Sequence, residues 1–279
     1  VVLIHGNVSS SVFYEGILAG APAHYHVIAP DLRGYGNSES KPVDATRGVR
    51  DWSDDLHSLL AALGITGPIA LAGWSLGGGV VMQYLLDHPA LVSHLILIAP
   101  ASPYGFGATK GLDGTLVTAD AAGSGGGAAN PDFVRLLAAN DIGSDSQVSP
   151  RNTMNAFYFK PPFRVASELE YRFVTAMNQT VTGEDNYPGD ARQSVHWPMI
   201  APGDSGVLNT LAPTHFNTSA IVDIEPKPPI LWVRGADDQI VADTSFFDLA
   251  YLGQLGAVPG WPGMDACPPQ PMVGQTRAV

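Results

Sequence analysis

The stretch Leu71-Ala72-Gly73-Trp74-Ser75-Leu76-Gly77-Gly78-Gly79 constrains this chain more than any other. The apolar run Pro68-Ile69-Ala70-Leu71-Ala72 reads as a short buried strand, and Val80, Val81, Tyr84 and Leu85 follow with helical spacing. Between them Gly-Trp-Ser-Leu-Gly must make a sharp turn, and the flanking glycines leave room for it. A serine at such a turn is lifted above the sheet edge. The first N–H groups of the helix beneath it have no backbone partner and favour negative charge. A G-x-S-x-G pattern in this context predicts Ser75 as a nucleophile. The competing reading is a glycine-rich turn that holds a serine by chance.

The neighbouring segments support a sheet around this turn. Val1–His5 is a β-branched strand closed by His5-Gly6-Asn7, and Ser9–Ser11 cap a weak helix through Phe13, Ile17 and Leu18. Tyr25–Ala29 reads as a second strand feeding the polar loop Asp31–Ser38. From Asp51 to Leu63 a helix places Trp52, Leu56, Leu59, Leu60 and Leu63 on one face, and Gly64 stops it. His94–Ala99 is the next strand. Strands alternating with helices predict a parallel sheet with right-handed crossovers.

That rhythm breaks from Ala101 to Pro229. A glycine run (Gly123–Gly127), helical patches at Phe133–Ala139 and Glu168–Met177, and frequent Pro and Gly through Tyr187–Pro213 replace it. The strand pattern returns at Ile230–Arg234. The expected organisation is an α/β core in two parts, residues 1–100 and 229–279, with a mainly helical cap subdomain at 101–228. Such a cap stands over the carboxyl ends of the strands, where open α/β sheets bind ligands. Gly123–Gly127 lacks the Lys-Ser/Thr of a phosphate loop and reads as a flexible hinge in the cap.

Acyl transfer by serine needs a nucleophile, a base oriented by a carboxylate, and oxyanion donors. Ser75 fills the first role. The N–H of Leu76, next after it, and the N–H of Asn7, in the loop after the first strand, are the expected donors. His5 precedes that loop and reads as its hydrogen-bonding anchor rather than as the base. The acid is expected in Gly235-Ala236-Asp237-Asp238-Gln239, with Asp238 preferred over Asp237; the competing reading makes both plain turn residues. Trp74 either lines the substrate pocket or packs under the cap. Phe157-Tyr158-Phe159 poses the same choice, with core packing the commoner fate. No histidine stands beside carboxylates at metal-ligand spacing, so neither a metal nor another cofactor is expected.

These motifs resemble the α/β-hydrolase superfamily, in its cap-containing branch with a serine nucleophile. The resemblance rests on His5-Gly6-Asn7, Asp31-Leu32-Arg33-Gly34-Tyr35-Gly36-Asn37-Ser38, Gly73-Trp74-Ser75-Leu76-Gly77-Gly78 and Gly235-Ala236-Asp237-Asp238-Gln239-Ile240-Val241, and spans Val1 to about Val241. It implies that the strands correspond to the third to seventh of the superfamily's usual eight. Dehalogenases and epoxide hydrolases of the superfamily carry an aspartate where Ser75 stands, so their chemistry is disfavoured. The resemblance also implies a catalytic histidine after the acid. Beyond Asp238 there is none: the eight are His5, His24, His26, His57, His88, His94, His196 and His215. Since the chain also opens on a strand without an initiator Met, the expectation is a chain cut at both ends, its base lying past Val279. Of the histidines present, His196 and His215, in the cap, are the remote substitutes.

Bulk properties narrow the partners. With 45% hydrophobic and 14% charged residues the chain is globular, and its net charge of −12 argues against nucleic acid and anionic membrane. No apolar run approaches the roughly 20 residues of a membrane helix. One cysteine, Cys267, fits a reducing cytoplasm. The expected activity is hydrolysis of a small or medium apolar carboxylic ester, lactone or thioester. Its rivals are a C–C hydrolase or cofactor-free perhydrolase on the same residues, and a ligand-binding protein that kept the turn but lost the base.

Overall fold

The computed structural model describes all residues from Val1 to Val279. Four strands form one parallel sheet in the order β1 (Val2–Ile4), β2 (Ile69–Trp74), β3 (Val92–Ile98) and, after an interval that holds six minor strands, β10 (Ile230–Val233). Ile4, Gly73, Leu97 and Trp232 stand in one row across the four. All four carboxyl ends therefore open at one edge, which sets His5-Gly6-Asn7, Ser75 and the 234–241 loop along a common rim. Tyr25–Ala29, expected as a strand, is reduced to a single parallel bridge from Ile28 to Val2. It lies at the sheet border, with His24, Tyr25 and His26 exposed and nothing paired beyond it.

The sheet has two unequal faces. Ile4, Leu71, Leu95 and Leu97 are buried under α2 (Arg50–Ala62) and α3 (Leu76–Asp87). On α2 the buried stripe is Trp52, Leu56 and Leu60; Leu63, expected on the same stripe, is 52% exposed because Gly64 (φ 69°) ends the helix before anything covers it. The Asp31–Ser38 loop is fastened to α2 by Arg33, which bonds Asp55 through two 2.6 Å contacts, while Arg47 reaches Asp51 and Asp54. The opposite face carries Leu3, Ala72, Ile96, Leu231 and Val233. Tyr14, from the 3₁₀ turn before α1 (Glu15–Gly20), packs on Leu3 and Ala72.

Towards β10 that face is open: Leu231 is 56% and Val233 46% exposed, and the outer edge of β10 pairs with nothing. An apolar edge strand of this kind templates further pairing. The protein is expected to self-associate as its concentration rises, and a Leu231→Lys/Val233→Lys variant to stay monodisperse at a stability cost of about 0.5 kcal/mol per site or less. Light scattering over a dilution series checks this; identical profiles would show that the edge is inert.

Between β3 and β10 the chain builds the small antiparallel pair β4 (Thr109–Lys110) and β5 (Thr115–Leu116), then helices α4 (Pro131–Ala138), α5 (Pro150–Phe157) and α6 (Ser167–Asn178). The parallel pair β6 (Thr182–Gly183) and β7 (Tyr187–Pro188) and the hairpin β8 (Ala191–Gln193) and β9 (Ile200–Pro202) follow. The α-helices of this interval all fall between 131 and 178; its Gly- and Pro-rich flanks form turns and very short strands, because those residues do not sustain helices. Phe133, Leu137, Met154, Phe173, Leu211 and Phe216 belong to the same apolar core as Ile4, Leu71 and Val80. The glycine run is no hinge. Gly123–Gly126 are buried, the Gly126 N–H donates to Asn209 Oδ1 at 2.8 Å, and a Cβ on Gly125 (φ 79°) would lie 2.3 Å from that oxygen. Helices α7 (Leu249–Gln254) and α8 (Met272–Ala278) close the chain.

Candidate active site

Ser75 is held at φ 56°, ψ −118°, a left-handed conformation unusual for a residue with a side chain. Its N–H donates to Ile98 O at 3.0 Å, and its carbonyl accepts from Gly78 (2.9 Å) and Ala101 (3.0 Å). The turn is thus fixed to β3 and α3, and strain of this kind persists where its surroundings over-determine it. Leu76, the first residue of α3, has no intrahelical acceptor for its N–H.

The loop after β1 lies directly alongside. A Cβ on Gly6 would sit 3.0 Å from Ser75 Cβ and 3.2 Å from Trp74 O, so any side chain here would push the two segments apart by a few tenths of an ångström. The Gly6 carbonyl accepts from His5 Nδ1 and from Ser9 Oγ, each at 2.8 Å. Carbonyl and N–H point in opposite directions across a trans peptide, so pinning Gly6 O aims the Asn7 N–H the other way. That N–H has no backbone acceptor. The Asn7 side chain is occupied elsewhere, its Oδ1 accepting from Tyr35 Oη at 2.8 Å.

His5 is fully buried with both ring nitrogens engaged: Nε2 accepts the Leu32 N–H at 3.0 Å, which leaves the proton on Nδ1. Burial lowers its pKa to about 4, against the opposing influence of the Gly6 carbonyl and Asp31. A neutral imidazole with both nitrogens committed is a loop anchor. Asp31 is held below the usual carboxylate range; burial works against this, and the N–H groups of Asn37 and Ser11 prevail.

Asp238 lies in the loop after β10, which is separated from β2 by β3. Its Oδ1 accepts from the N–H groups of Ile240 (2.8 Å) and Val241 (3.1 Å). Asp237 is exposed and paired with Lys160. No hydrogen bond joins any imidazole to Ser75 or Asp238. His57 and His88 stack on each other at 4.1 Å, His94 is exposed beside Ser93, His24 and His26 are exposed, and His215 bonds Gly203 O at 3.0 Å. His196 is exposed in the turn between β8 and β9. The structure therefore brings Asn7, Ser75 and Leu76 together, stations Asp238 along the same rim, and supplies no base to them from the cap histidines.

Trp74 is half-buried in an aromatic cluster. Its ring meets Tyr158 edge-on at 5.4 Å and Phe13 at 5.7 Å, and Phe13 stacks on Phe173 at 4.2 Å. Residues after α5 and on α6 thus roof the rim. Sequence reasoning weighed Tyr158 only as an aromatic and missed Tyr35 and Ser9. Their contacts with the Asn7 loop depend on the folded path of the chain, except for Ser9, which was near enough in sequence to be noticed.

Residues 1–121 match the family model described as alpha/beta hydrolase fold, a stretch that contains Asn7, Trp74, Ser75 and Leu76 and ends before Asp238. An uncharacterised Mycobacterium tuberculosis protein is 37% identical over 99 residues, 36% of this chain and 28% of its own length. A cis-3-alkyl-4-alkyloxetan-2-one decarboxylase of Xanthomonas campestris is 37% identical over 109 residues, 37% of this chain and 36% of that one. The matched stretches thus span about a third of these relatives' length. Among solved structures, the esterase RhEst1 of Rhodococcus sp. superposes with a TM-score of 0.52 at 22% identity, covering 97% of this chain and 79% of that one.

Proposed function

We propose that this chain, whose residues 1–121 match the alpha/beta hydrolase fold family, is a serine hydrolase acting on a small or medium, apolar carboxylic ester, lactone or thioester. The observation that carries this is the strained Ser75 set beside two N–H groups, of Asn7 and Leu76, that have no backbone acceptor. Ser75 Oγ attacks the substrate carbonyl, the π electrons move onto its oxygen, and the two N–H groups receive the developing charge. One such donor is typically worth about 10²–10³ in turnover, and the α3 dipole adds to it. The serine proton passes by way of the base to the leaving oxygen or sulfur as the C–O or C–S bond breaks, giving an acyl-enzyme and a free alcohol or thiol (for a lactone, a hydroxyl that stays tethered), and water then cleaves the acyl-enzyme.

Asp238 is the acid of this proposal. Its Oδ1 is fixed by two backbone N–H groups, and in this proposal it orients an imidazole that relays the serine proton, a histidine that is none of the eight in this sequence. Residues 101–228 act as the cap, with Tyr158 and Phe173 walling the substrate space together with Trp74 and Phe13. The aromatic wall and the charge of −12 favour a neutral, apolar substrate. The lactone option is supported by the Xanthomonas relative, whose name specifies an oxetan-2-one, a four-membered lactone. A cytoplasmic setting, read from the lone cysteine, belongs to the same proposal.

The test is covalent labelling with an alkyl fluorophosphonate, the adduct located by peptide mass. Labelling at Ser75 that disappears in Ser75→Ala supports the reading. Labelling at another residue, or labelling that survives in Ser75→Ala, removes the hydrolase assignment in favour of a ligand-binding protein of the same fold. Since no imidazole reaches Ser75, an unlabelled chain counts against it only if labelling also fails when a histidine is supplied after Asp238.

A further inference from the structure

Next to the Asn7 donor, Val8 stands at φ 46°, in the left-handed region where a β-branched side chain crowds its own backbone. Such a conformation persists only where surrounding groups hold it. The carbonyls on both sides of the strained Cα, Asn7 O and Val8 O, share one donor: Tyr158 Oη lies 3.1 Å from each. Neither oxygen receives a backbone N–H. Tyr158 caps the end of α5, some 150 residues along the chain, and its ring is wedged between Trp74 (5.4 Å) and Phe13 (6.0 Å). Burial pushes the phenol well above its ordinary pKa, so the hydroxyl keeps its proton and remains a donor. That proton is committed to the loop and is not offered to a substrate.

The geometry points to Tyr158 as a positioning residue of the oxyanion loop: its hydroxyl holds Asn7 and Val8 in the strained turn that carries the Asn7 N–H beside Ser75. This rests on the reading of Ser75 as the acylated residue. It makes the oxyanion donor conditional on the seating of α5 and α6 over the sheet rim, because the clamp arrives from that segment and not from the loop's own strand. A substrate that fails to let those helices seat meets an incomplete oxyanion site.

Tyr158→Phe removes the hydroxyl and leaves the ring on Trp74 and Phe13. With an alkyl fluorophosphonate, the maximal rate of Ser75 labelling is expected to fall ~10- to 100-fold, up to the loss of about one oxyanion donor. The half-saturating concentration should stay within about two-fold, because the apolar wall that binds the probe is intact. Adding Val8→Gly, which occupies φ 46° without strain, is expected to recover most of the rate; loss of packing alone would not be rescued this way. Wild-type labelling kinetics in Tyr158→Phe, or a slow Tyr158→Phe that Val8→Gly leaves slow, would overturn the proposal. Where the unsubstituted protein is not labelled, as the lack of an imidazole at Ser75 allows, labelling does not report on the clamp. The clamp is then read from hydrogen–deuterium exchange over residues 6–9. Exchange there should be at least ~10-fold faster in Tyr158→Phe, since the strained turn opens without its donor, and unchanged exchange would dismiss the clamp.

Discussion

Gly77→Ala is expected to deprive the protein of its native fold, although it adds one methyl group to a helix. A Cβ on Gly77 would lie 2.3 Å from Ile4 O and 2.5 Å from His5 O, both backbone atoms at the end of β1. β1 cannot retreat: it pairs with β2 along Val2–Ile4 and with Ile28 on its other side. Nor can α3 tilt away freely, because Gly73 already meets the Gly77 carbonyl (2.2 Å from its ideal Cβ) and Leu76, Val80 and Val81 are buried beneath. Overpacking a core costs typically about 1–3 kcal/mol when side chains can adjust. Here the collision is with backbone on both sides, and ~4 kcal/mol or more is expected, a large part of a domain's usual margin. Gly79→Ala is the control. Its Cβ would meet only the Phe216 and Leu211 side chains, at 3.3–3.4 Å, and it gains about 1 kcal/mol of helix propensity. Soluble yield and urea midpoints should separate the two variants sharply; equal stability would show that the turn is not interlocked as described.

That interlock also explains why the central turn was the most legible part of the sequence. Sterics leave few alternatives at Gly73 and Gly77, and the apolar strand and helix on either side have the right period. The helix read at 51–63 forms at 50–62 for the same reason: a stripe of Trp52, Leu56 and Leu60 has one way to face the core. Legibility fails where the deciding contacts are remote. Helix α5 carries few buried apolar residues, essentially Met154, so its period was weak, although Ser149 and Pro150 signal its start. Gly123–Gly127 reads as mobile only until Asn209 and Pro202 are seen packed against it.

The site divides along the same line. Ser75, Leu76, Asn7 and Asp238 could be proposed from the sequence because each follows a recognisable strand. The groups that hold them could not. Tyr35 reaches Asn7 across 28 positions and Tyr158 across 151, and no local pattern encodes either contact. His5 is intermediate. Its place before the loop suggested an anchor, but only the structure shows both nitrogens engaged, and that makes its titration measurable.

The protein is expected to lose about 3 kcal/mol of stability between pH 6.5 and pH 4 through His5 alone, reading the shift from 6.5 to about 4 at 1.36 kcal/mol per unit. The sign follows from which state binds the proton. Below pH 6.5 the unfolded chain takes up a proton on this imidazole, whereas the folded protein, with the ring buried and Nε2 facing the Leu32 N–H, refuses it until about pH 4. Acid therefore favours unfolding across that window, and above pH 6.5 this residue contributes no slope. His88, whose pKa is also lowered, first by burial and then by His57, contributes in the same direction, so the comparison must be differential. His5→Gln serves: its carboxamide can donate to Gly6 O and accept from Leu32 N–H, yet does not titrate. Urea midpoints from pH 7 to pH 4 should fall more steeply in the wild type than in His5→Gln, and parallel curves would mean that the ring is not held neutral. The same protonation bears on chemistry. A proton on Nε2 sets donor against donor at Leu32 and loosens the ring that pins Gly6 O, so the Asn7 N–H loses its aim. Fluorophosphonate labelling of Ser75 should then decline in acid earlier in the wild type than in His5→Gln, which ties the stability of this loop to the readiness of the oxyanion site it carries.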